Sequence, residues 1–352
     1  MKQQINRPPV RFSHIFLLGL IFVFSLMPII NTGTCAAEIQ WAKSATEGFA
    51  IAKQSGKILM IDFYTEWWGW CKRLDADTFT DPQVIELSEK FVALKLNPED
   101  EAHPENQELQ QKYKVSGYPA VVFASTDGDL ISNNSGYRPP VPFLQLMRQT
   151  LTEEEAFQKL IRHHQKDPQD LQTTTDLALI YIKRENLTKG QPLIDQIIEQ
   201  DTNNTGGYLL PIYLELGLMY LSQSKVELAE SKLEQILALK PVNLDLSDLY
   251  LNLGLYYAQR ADGQPDPKIF FKKAISNFET VVQKYPQGQV YEDAQLYLGI
   301  TYMLQEEKQL AIGILEKLSQ TAKNDDIRDR AKTVLGNLKE LPDKGDDVGK
   351  EE

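Results

Sequence analysis

Cysteine and histidine are scarce in this chain of 352 residues, which contains two cysteines and four histidines. Cys35 and Cys71 could form one disulfide at most, so the chain is not a disulfide-rich scaffold. The histidines are scattered, and their spacing to cysteines and carboxylates suggests no metal site. The chain also lacks a Gly-rich phosphate loop and a Ser nucleophile elbow. We therefore expect neither a metal nor a cofactor.

Basic residues are outnumbered as well, because 37 Lys and Arg face 49 Asp and Glu and leave a net charge of −12. Such an acidic surface argues against binding to nucleic acid or to anionic membranes. A hydrophobic content of 42% is ordinary for a globular protein, and the length suits two domains.

Long apolar runs are almost absent, and the one at the N-terminus extends only from Ile15 to Ile30. Basic residues precede it and small residues follow it, which is the order of a secretory signal peptide. We predict a signal peptide over residues 1–37, cleaved after Ala37. An uncleaved membrane anchor and lipid attachment at Cys35 are the alternatives.

Cleavage would remove three basic residues and no acidic residue, which leaves a net charge of −15 and a single cysteine, Cys71. The predicted location is extracytoplasmic, either periplasmic or secreted, with contact to a membrane only if the signal segment is uncleaved or lipidated. An exported protein is free to form disulfides, but one thiol cannot form an internal one. We therefore expect burial and packing to stabilise the fold.

Residues 38–150 are predicted to form a domain that mixes strands and helices. Apolar runs at 57–64 and 91–97 have the length of strands, and a helix-like stretch follows Cys71, interrupted near Pro82. Residues 120–125 begin a hairpin that turns at Asp127-Gly128. Alternating strands and helices followed by a hairpin favour an α/β domain with a mixed sheet and helices on both faces.

Residues 151–342 contain no strand signals and repeat at a period near 34. Three copies share a Leu-Gly pair followed by a tyrosine, at Leu216-Gly217, Leu253-Gly254 and Leu298-Gly299. We expect the small residues Gly217 and Ala229 to let the helices of a hairpin approach closely. These offsets resemble those of the tetratricopeptide (TPR) family over residues 153–320. The resemblance implies an all-α solenoid of about four and a half repeats, with 327–338 as a capping helix. The charged composition of residues 343–352 predicts a disordered acidic tail.

The stretch "I-D-F-Y-T-E-W-W-G-W-C-K-R" (61–73) carries a second resemblance, together with "F-V-A-L-K-L-N" and "V-S-G-Y-P-A-V-V-F". These motifs are similar to those of the thioredoxin superfamily, particularly the C-terminal domain of the bacterial periplasmic disulfide-reductant transporter. The resemblance implies that Trp68 occupies the position of the first, nucleophilic cysteine and that Cys71 matches the second. It also implies that Asp62 matches the buried acid, Lys95 its lysine neighbour, and Pro119 the proline that follows a cis peptide bond after Tyr118.

A full dithiol–disulfide cycle needs two sulfurs, and the degenerate motif Trp68-Gly69-Trp70-Cys71 has one. Cys71 and Asp62 are therefore only candidate catalytic residues. Cys71 is either an inert buried thiol, a slow monothiol that exchanges with partner disulfides, or the link of an intermolecular dimer. Asp62 is either a remnant proton acceptor for Cys71 or a carboxylate that pairs with Lys95 or a trapped water.

Three tryptophans within four residues, Trp67, Trp68 and Trp70, form an aromatic cluster that the resemblance places beside Tyr118 and Pro119. Tryptophan is prominent among interface hot spots, so the cluster is a candidate binding surface for protein partners. The alternative is that Trp68 folds down and covers the local core.

The first helices of TPR hairpins line a groove that binds peptides or helices, as the resemblance implies. Helical spacing predicts a mildly acidic, apolar lining that includes Leu218, Leu255, Tyr297 and Ile300. We expect an apolar or basic segment of another exported or envelope protein as its ligand, and the alternative is that the repeats mainly support or dimerise the first domain.

These observations favour an exported protein-binding adaptor or chaperone-like scaffold that is not an enzyme. The alternative is a thiol-disulfide oxidoreductase of the thioredoxin family that acts through Cys71 alone or with a thiol from its partner.

Overall fold

The computed structural model describes residues 38–340. The predicted signal peptide and the predicted acidic tail lie outside the described residues. Of the helices within 38–340, none combines the length and the apolar character needed to cross a membrane.

The first region is built on a five-stranded mixed sheet with the strand order β1-β3-β2-β4-β5. β1, β2 and β3 run parallel, and β4 and β5 form an antiparallel hairpin beside β2. The strands are β1 (Trp41–Ala42), β2 (Leu59–Phe63), β3 (Val92–Leu96), β4 (Ala120–Ala124) and β5 (Leu130–Ser135). The predicted mixed sheet is thus confirmed, and Gly128 takes the positive φ expected at the hairpin turn.

Five helices and one π-helical turn surround this sheet. They are α1 (Ala45–Ser55), α2 (Gly69–Arg73), the π-helical turn Leu74–Thr78, α3 (Pro82–Ser88), α4 (Glu105–Lys112) and the first half of α5 (Pro140–Lys166). Successive residues of β2 point to opposite faces, so Met60 joins a core with α3 and α5 while Ile61 joins a core with α1 and α4.

Local sequence chemistry explains where the helix-like stretch after Cys71 is divided. The Asp81 side chain accepts hydrogen bonds from the backbone N–H groups of Gln83 and Val84, and Pro82 occupies the first helical position. The structure therefore contains α2, the π-helical turn and α3 where the sequence predicted one interrupted helix. β1 was not predicted, since a strand of two residues has no readable periodicity, and α1 was not predicted either.

The second region consists only of helices among the described residues. They form four consecutive hairpins and a final helix: α6 (Leu171–Lys183), α7 (Leu187–Gln200), α8 (Leu209–Ser222), α9 (Val226–Ala238), α10 (Ser247–Arg260), α11 (Pro267–Lys284), α12 (Tyr291–Leu304), α13 (Lys308–Thr321) and α14 (Asp325–Glu340). The first helices of successive hairpins also contact one another. A large helical region is therefore present.

Two glycines lie where these helices pack closely within a hairpin. A Cβ atom on Gly254 would lie 2.4 Å from the Phe278 ring of α11, and one on Gly299 would lie 2.9 Å from Leu315 of α13. Both glycines therefore allow close packing within their own hairpins. A Cβ atom on Gly217 would lie 3.3 Å from Leu249 of the next hairpin and 3.7 Å from Lys232 of α9 in its own hairpin.

Helix α5 belongs to both regions. Phe143, Leu144 and Met147 in its first half are buried in a core of the sheet, whereas Phe157 is buried against α6 and α7. The boundary predicted between residues 150 and 151 lies inside this continuous helix of 27 residues.

Ion pairs also join the two regions. Lys189 of α7 lies 2.7 Å from the Asp129 carboxylate, and Lys114 pairs with Glu185.

Candidate functional site

The site begins where the chain leaves β2 and enters α2. Trp68 has an extended backbone and precedes the first helical residue, Gly69, so it is the N-cap residue of α2. The Cys71 N–H donates to the Trp68 carbonyl at 3.1 Å, which places Cys71 in the first turn. The motif thus lies at a helix start, with an indole at the position that points outward.

Cys71 is a free thiol that is 3% exposed. Burial raises the pKa of the Cys71 thiol, because the thiolate loses hydration, and the nearby carboxylate of Asp62 raises it further. A hydrogen bond from the Thr65 backbone partly opposes this rise in pKa. The arrangement favours the neutral, less nucleophilic form of the thiol.

Asp62 is the buried carboxyl beside this thiol, and it is 1% exposed. Burial raises the pKa of Asp62 to about 7, although the charge of Lys95 opposes the rise. Asp62 and Lys95 are partners in the β2–β3 register, and the Lys95 Nζ lies 3.6 Å from Asp62 Oδ2. The structure therefore brings together the acid and the lysine that the sequence paired.

The attraction of Lys95 is divided between two carboxylates. Its Nζ also donates a hydrogen bond to Asp75 of the π-helical turn, and it lies 4.8 Å from the centre of the Tyr64 ring. Asp62 Oδ1 has no hydrogen-bond partner among the described residues, and neither has the buried Thr65 Oγ1. A buried carboxylate without full compensation is costly, which explains why the pKa of Asp62 is raised.

The tryptophans are exposed rather than folded into the core. Trp67, Trp68 and Trp70 are 63%, 38% and 46% exposed. The Trp67 and Trp68 rings meet edge to face at 5.4 Å, and Trp70 packs against Tyr137 at 5.6 Å. We call Trp67, Trp68, Trp70 and Tyr137 the aromatic platform.

Tyr118 and Pro119 lie in the loop between α4 and β4. The peptide bond between them is cis, as the sequence suggested. Burial raises the pKa of Tyr118, with further contributions from the charges of Glu99 and Cys71. Glu99 also accepts a hydrogen bond of 2.9 Å from the Trp67 indole of the aromatic platform.

Sequence reasoning missed four residues of this site: Glu99, Tyr137, Arg73 and Asp77. Arg73 stacks over Trp70 and Tyr137, and Asp77 accepts hydrogen bonds from both Arg73 and Tyr137. Arg73 and Asp77 lie four residues apart on one helical face, a spacing that the sequence shows. Tyr137 and Glu99 are distant along the chain, and nothing in the sequence points to them.

The candidate groove residues lie apart from this site, in the helical region. Leu218 and Leu255 are half-buried in the core shared by α8 to α12. Tyr297 stacks on Phe278, and its hydroxyl accepts a hydrogen bond from Arg330. Ile300 packs against the core that α12 shares with α13 and α14. None of these four side chains is fully exposed.

No group of three or more His, Cys, Asp and Glu side chains within residues 38–340 is placed to hold a metal ion.

Comparison with known proteins identifies the first region. Residues 46–151 match the family model described as a thioredoxin-like domain. The first region is a thioredoxin-like domain. The match covers less than a third of the chain, so it describes this region and leaves the helical region unassigned.

Curated relatives of the thioredoxin-like domain include proteins named thiol:disulfide interchange protein DsbD. The chain is 32% identical over 110 residues to the protein from Vibrio vulnificus strain CMCP6, which is 31% of this chain and 18% of that protein. It is 28% identical over 151 residues to the Vibrio cholerae protein, which is 38% of this chain and 25% of that protein. The chain therefore spans a quarter or less of the length of these relatives.

Solved structures with similar domains include one described as DsbH oxidoreductase, at 22% identity and a TM-score of 0.30, covering 33% of this chain and 87% of that chain. Another is the C-terminal domain of Neisseria meningitidis DsbD in the oxidised form, at 24% identity and a TM-score of 0.26, covering 29% and 88%. A thioredoxin from Thermus thermophilus has 30% identity and a TM-score of 0.29, covering 32% and 88%.

Proposed function

We propose that this protein is an exported adaptor or chaperone-like scaffold whose aromatic platform binds protein partners. The observation that carries the proposal is the tryptophan that replaces a cysteine at the start of α2. An exposed indole, Trp68, stands where a dithiol motif has its attacking sulfur, and the remaining thiol of Cys71 is buried. A large, rigid apolar side chain at such a position suits a contact surface.

Electron counting supports binding rather than redox cycling. Reduction of a partner disulfide delivers two electrons, and the donor stores the equivalent as its own sulfur–sulfur bond. Cys71 is the one cysteine in residues 38–340 and therefore has no second sulfur within them for that bond.

We further propose that residues 151–342 form a TPR solenoid whose groove holds a second part of the partner. The repeated Leu-Gly pairs, the four successive hairpins and the close approach at Gly254 and Gly299 support this assignment. Glu215 on α8 adds acidic character, and burial raises the pKa of this carboxyl while Lys183 opposes the rise. The proposed ligand of the groove is an apolar or basic segment of an exported or envelope protein.

An extracytoplasmic location, periplasmic or secreted, is part of this proposal. It is supported by the order of basic, apolar and small residues within 1–37 and by the similarity of the first domain to DsbD.

Capture of partners from the native envelope tests the adaptor proposal. Tagged wild-type protein should retain a partner that Trp68→Ala releases, because truncation of a hot-spot indole costs about 2 kcal/mol or more of binding free energy. Ile51→Ala is the control, since Ile51 on α1 is an exposed apolar residue outside the platform. Equal capture by Trp68→Ala and wild type would refute the adaptor role of the platform.

A thiol-disulfide oxidoreductase acting through Cys71 is the second candidate. The observation in its favour is Asp62, whose raised pKa of about 7 makes it a proton acceptor close to the thiol. In that reaction the Cys71 thiolate would attack a partner disulfide, form a mixed disulfide and expel one partner thiolate. A second thiol from the partner or from solution would then release Cys71.

Insulin reduction separates the two candidates. The adaptor proposal predicts that the purified protein reduces insulin no faster than a Cys71→Ser variant in the presence of the same external thiol. A clear excess of activity in the wild type that Cys71→Ser abolishes would establish the oxidoreductase instead.

A further inference from the structure

At the Trp70 and Tyr137 half of the aromatic platform, the protein binds one of its own cations. The Arg73 guanidinium lies 5.4 Å from the centre of the Trp70 ring and 4.8 Å from that of Tyr137. Its Nε lies 3.1 Å from Asp77 Oδ2, which also accepts a hydrogen bond of 3.0 Å from the Tyr137 hydroxyl. We call these four residues the Arg73 box. It combines two aromatic faces, a carboxylate and a cation.

The other half of the platform, Trp67 and Trp68, also has two aromatic rings and a nearby carboxylate, but no cation among the described residues. The Trp67 and Trp68 rings meet at an angle of 73°, and the Trp67 Nε1 donates to Glu99 Oε2 at 2.9 Å. We call Trp67, Trp68 and Glu99 the Glu99 box. Within residues 38–340 no Lys or Arg lies over either of these two rings, and none forms an ion pair with Glu99.

We infer that the Glu99 box binds the side chain of a lysine or arginine of a partner protein. This inference rests on the proposed function and specifies the partner's chemistry at the platform. Indole faces attract cations, and a carboxylate with one hydrogen bond keeps further acceptor positions free. Arginine fits best, because its planar guanidinium stacks on an indole while its N–H groups reach the carboxylate.

The surroundings favour a cationic side chain over other groups. Glu66, Asp100 and Glu101 lie within two residues of the box residues in the sequence, and this acidic density repels an anionic segment. A neutral apolar side chain would cover Trp67 and remove water from Glu99 without supplying a charge in return. A cation compensates that loss of hydration.

A pair of matched peptides tests the inference by calorimetric titration. The probes are acetyl-Gly-Ser-Leu-X-Leu-Ser-Gly-amide, in which X is arginine or citrulline, which has nearly the same shape but no charge. We expect the arginine peptide to bind wild-type protein about tenfold more tightly at low ionic strength. This difference should shrink as salt is added, because exposed charges are screened.

Two variants on one loop supply the control. Glu99→Gln should lower the affinity for the arginine peptide to that of the citrulline peptide, whereas Glu101→Gln should leave the tenfold difference in place. Equal binding of the two peptides by the wild type overturns the inference, and so does an equal loss in both variants, which would indicate diffuse attraction only. Failure of the wild type to bind either peptide also overturns it.

These outcomes are separate from the test of the adaptor role. If both peptides bind equally and Trp68→Ala still releases the captured partner, the platform binds proteins without cation recognition. If Trp68→Ala releases nothing, the adaptor role fails whatever the peptides do.

Discussion

The two regions of this protein differ in how completely their buried polar groups are paired. In α6 to α14 every buried side-chain oxygen and nitrogen has a partner, as in the threonines of α6, whose hydroxyls bond to preceding backbone carbonyls or to Asp170. In the thioredoxin-like domain Asp62 and Thr65 each bury an oxygen without a partner, and Arg138 buries an unpaired Nε. His164, in the second half of α5, buries a fourth unpaired atom, its Nε2. Buried polar groups are normally satisfied, so each exception calls for an explanation. Two of these four groups, Asp62 and Thr65, lie beside Cys71 in the candidate site.

Breaking a buried ion pair of the helical region should give the largest loss of stability. Arg184 and Glu154 join α6 to α5 by an ion pair of 2.8 Å, and both side chains are almost fully buried. Arg184→Met leaves Glu154 buried without its cation, and we expect a loss of about 3–5 kcal/mol in the free energy of unfolding. Urea titration followed by circular dichroism measures it. The double variant with Glu154→Gln should recover part of the loss, and a cost below about 1 kcal/mol for Arg184→Met would contradict the comparison.

Replacing the partly unpaired carboxylate of Asp62 should increase, not decrease, the free energy of unfolding. Because the pKa of Asp62 is raised from 3.8 to about 7, the folded state binds this proton more tightly than the unfolded state. The stabilisation is complete below pH 4 and is lost as the pH rises through 7. Asp62→Asn should therefore stabilise the domain at pH 8 by on the order of 2–4 kcal/mol and have little effect at pH 4.

Tryptophan fluorescence during urea unfolding reports this effect selectively, since all four tryptophans lie before Lys72. A Ser88→Ala variant, which removes a buried hydroxyl bonded to the Ile85 carbonyl, should show no comparable dependence on pH. An Asp62→Asn effect that is the same at pH 4 and pH 8 would show that the carboxyl does not titrate in this range.

Disturbing the close packing of two helices in the helical region should give an intermediate loss of stability. In Gly254→Ala the new methyl group would lie 2.4 Å from the Phe278 ring, and we expect a cost of about 1–3 kcal/mol. Gly313→Ala on α13 is the matched control, because its Cβ atom meets nothing within 4 Å. That substitution should be neutral or stabilise the helix by about 0.5–1 kcal/mol. Equal stabilities of the two variants in thermal unfolding would argue against close packing of α10 on α11.

The smallest change in stability is expected for Trp68→Cys. A partly exposed N-cap side chain is replaced, so the reduced protein should lose less than about 1 kcal/mol. The chemical change should be large, because a second sulfur then stands one helical turn from Cys71 and can form a disulfide with it. Mass spectrometry after oxidation detects the loss of two hydrogens. Its absence would mean that position 68 and Cys71 do not have the geometry of a dithiol site.

The sequence was most informative where the pattern is local. Strands predicted at 57–64 and 91–97 are observed at Leu59–Phe63 and Val92–Leu96, because short apolar runs between polar segments define strands well. The Asp62–Lys95 pair and the cis bond before Pro119 came from the resemblance to thioredoxins. The place of the predicted tryptophans at the start of α2 followed from the same motif.

The remaining features depend on contacts between distant segments. Tyr137 meets Trp70, and Glu99 meets Trp67, only after the sheet has formed, so no spacing rule predicts them. The π-helical turn at Leu74–Thr78 adds one residue within the helical stretch, and the sequence around it reads as ordinary helix. The half-burial of Tyr297 reflects its contacts with Phe278 and Arg330, which helical periodicity alone does not reveal.

The continuity of α5 limits how the chain can be divided for experiments. A fragment that stops at residue 150 would keep Met147 on the sheet. The complementary fragment would begin in the middle of α5, shortly before Phe157, and would lack the first half of that helix. A fragment that begins at residue 140 would carry Phe143 and Leu144 away from the sheet and expose them to water. A protein fragment that represents the thioredoxin-like domain alone should therefore extend to Lys166. Phe157 should be replaced by a polar residue in it, because α6 and α7 would no longer cover this side chain.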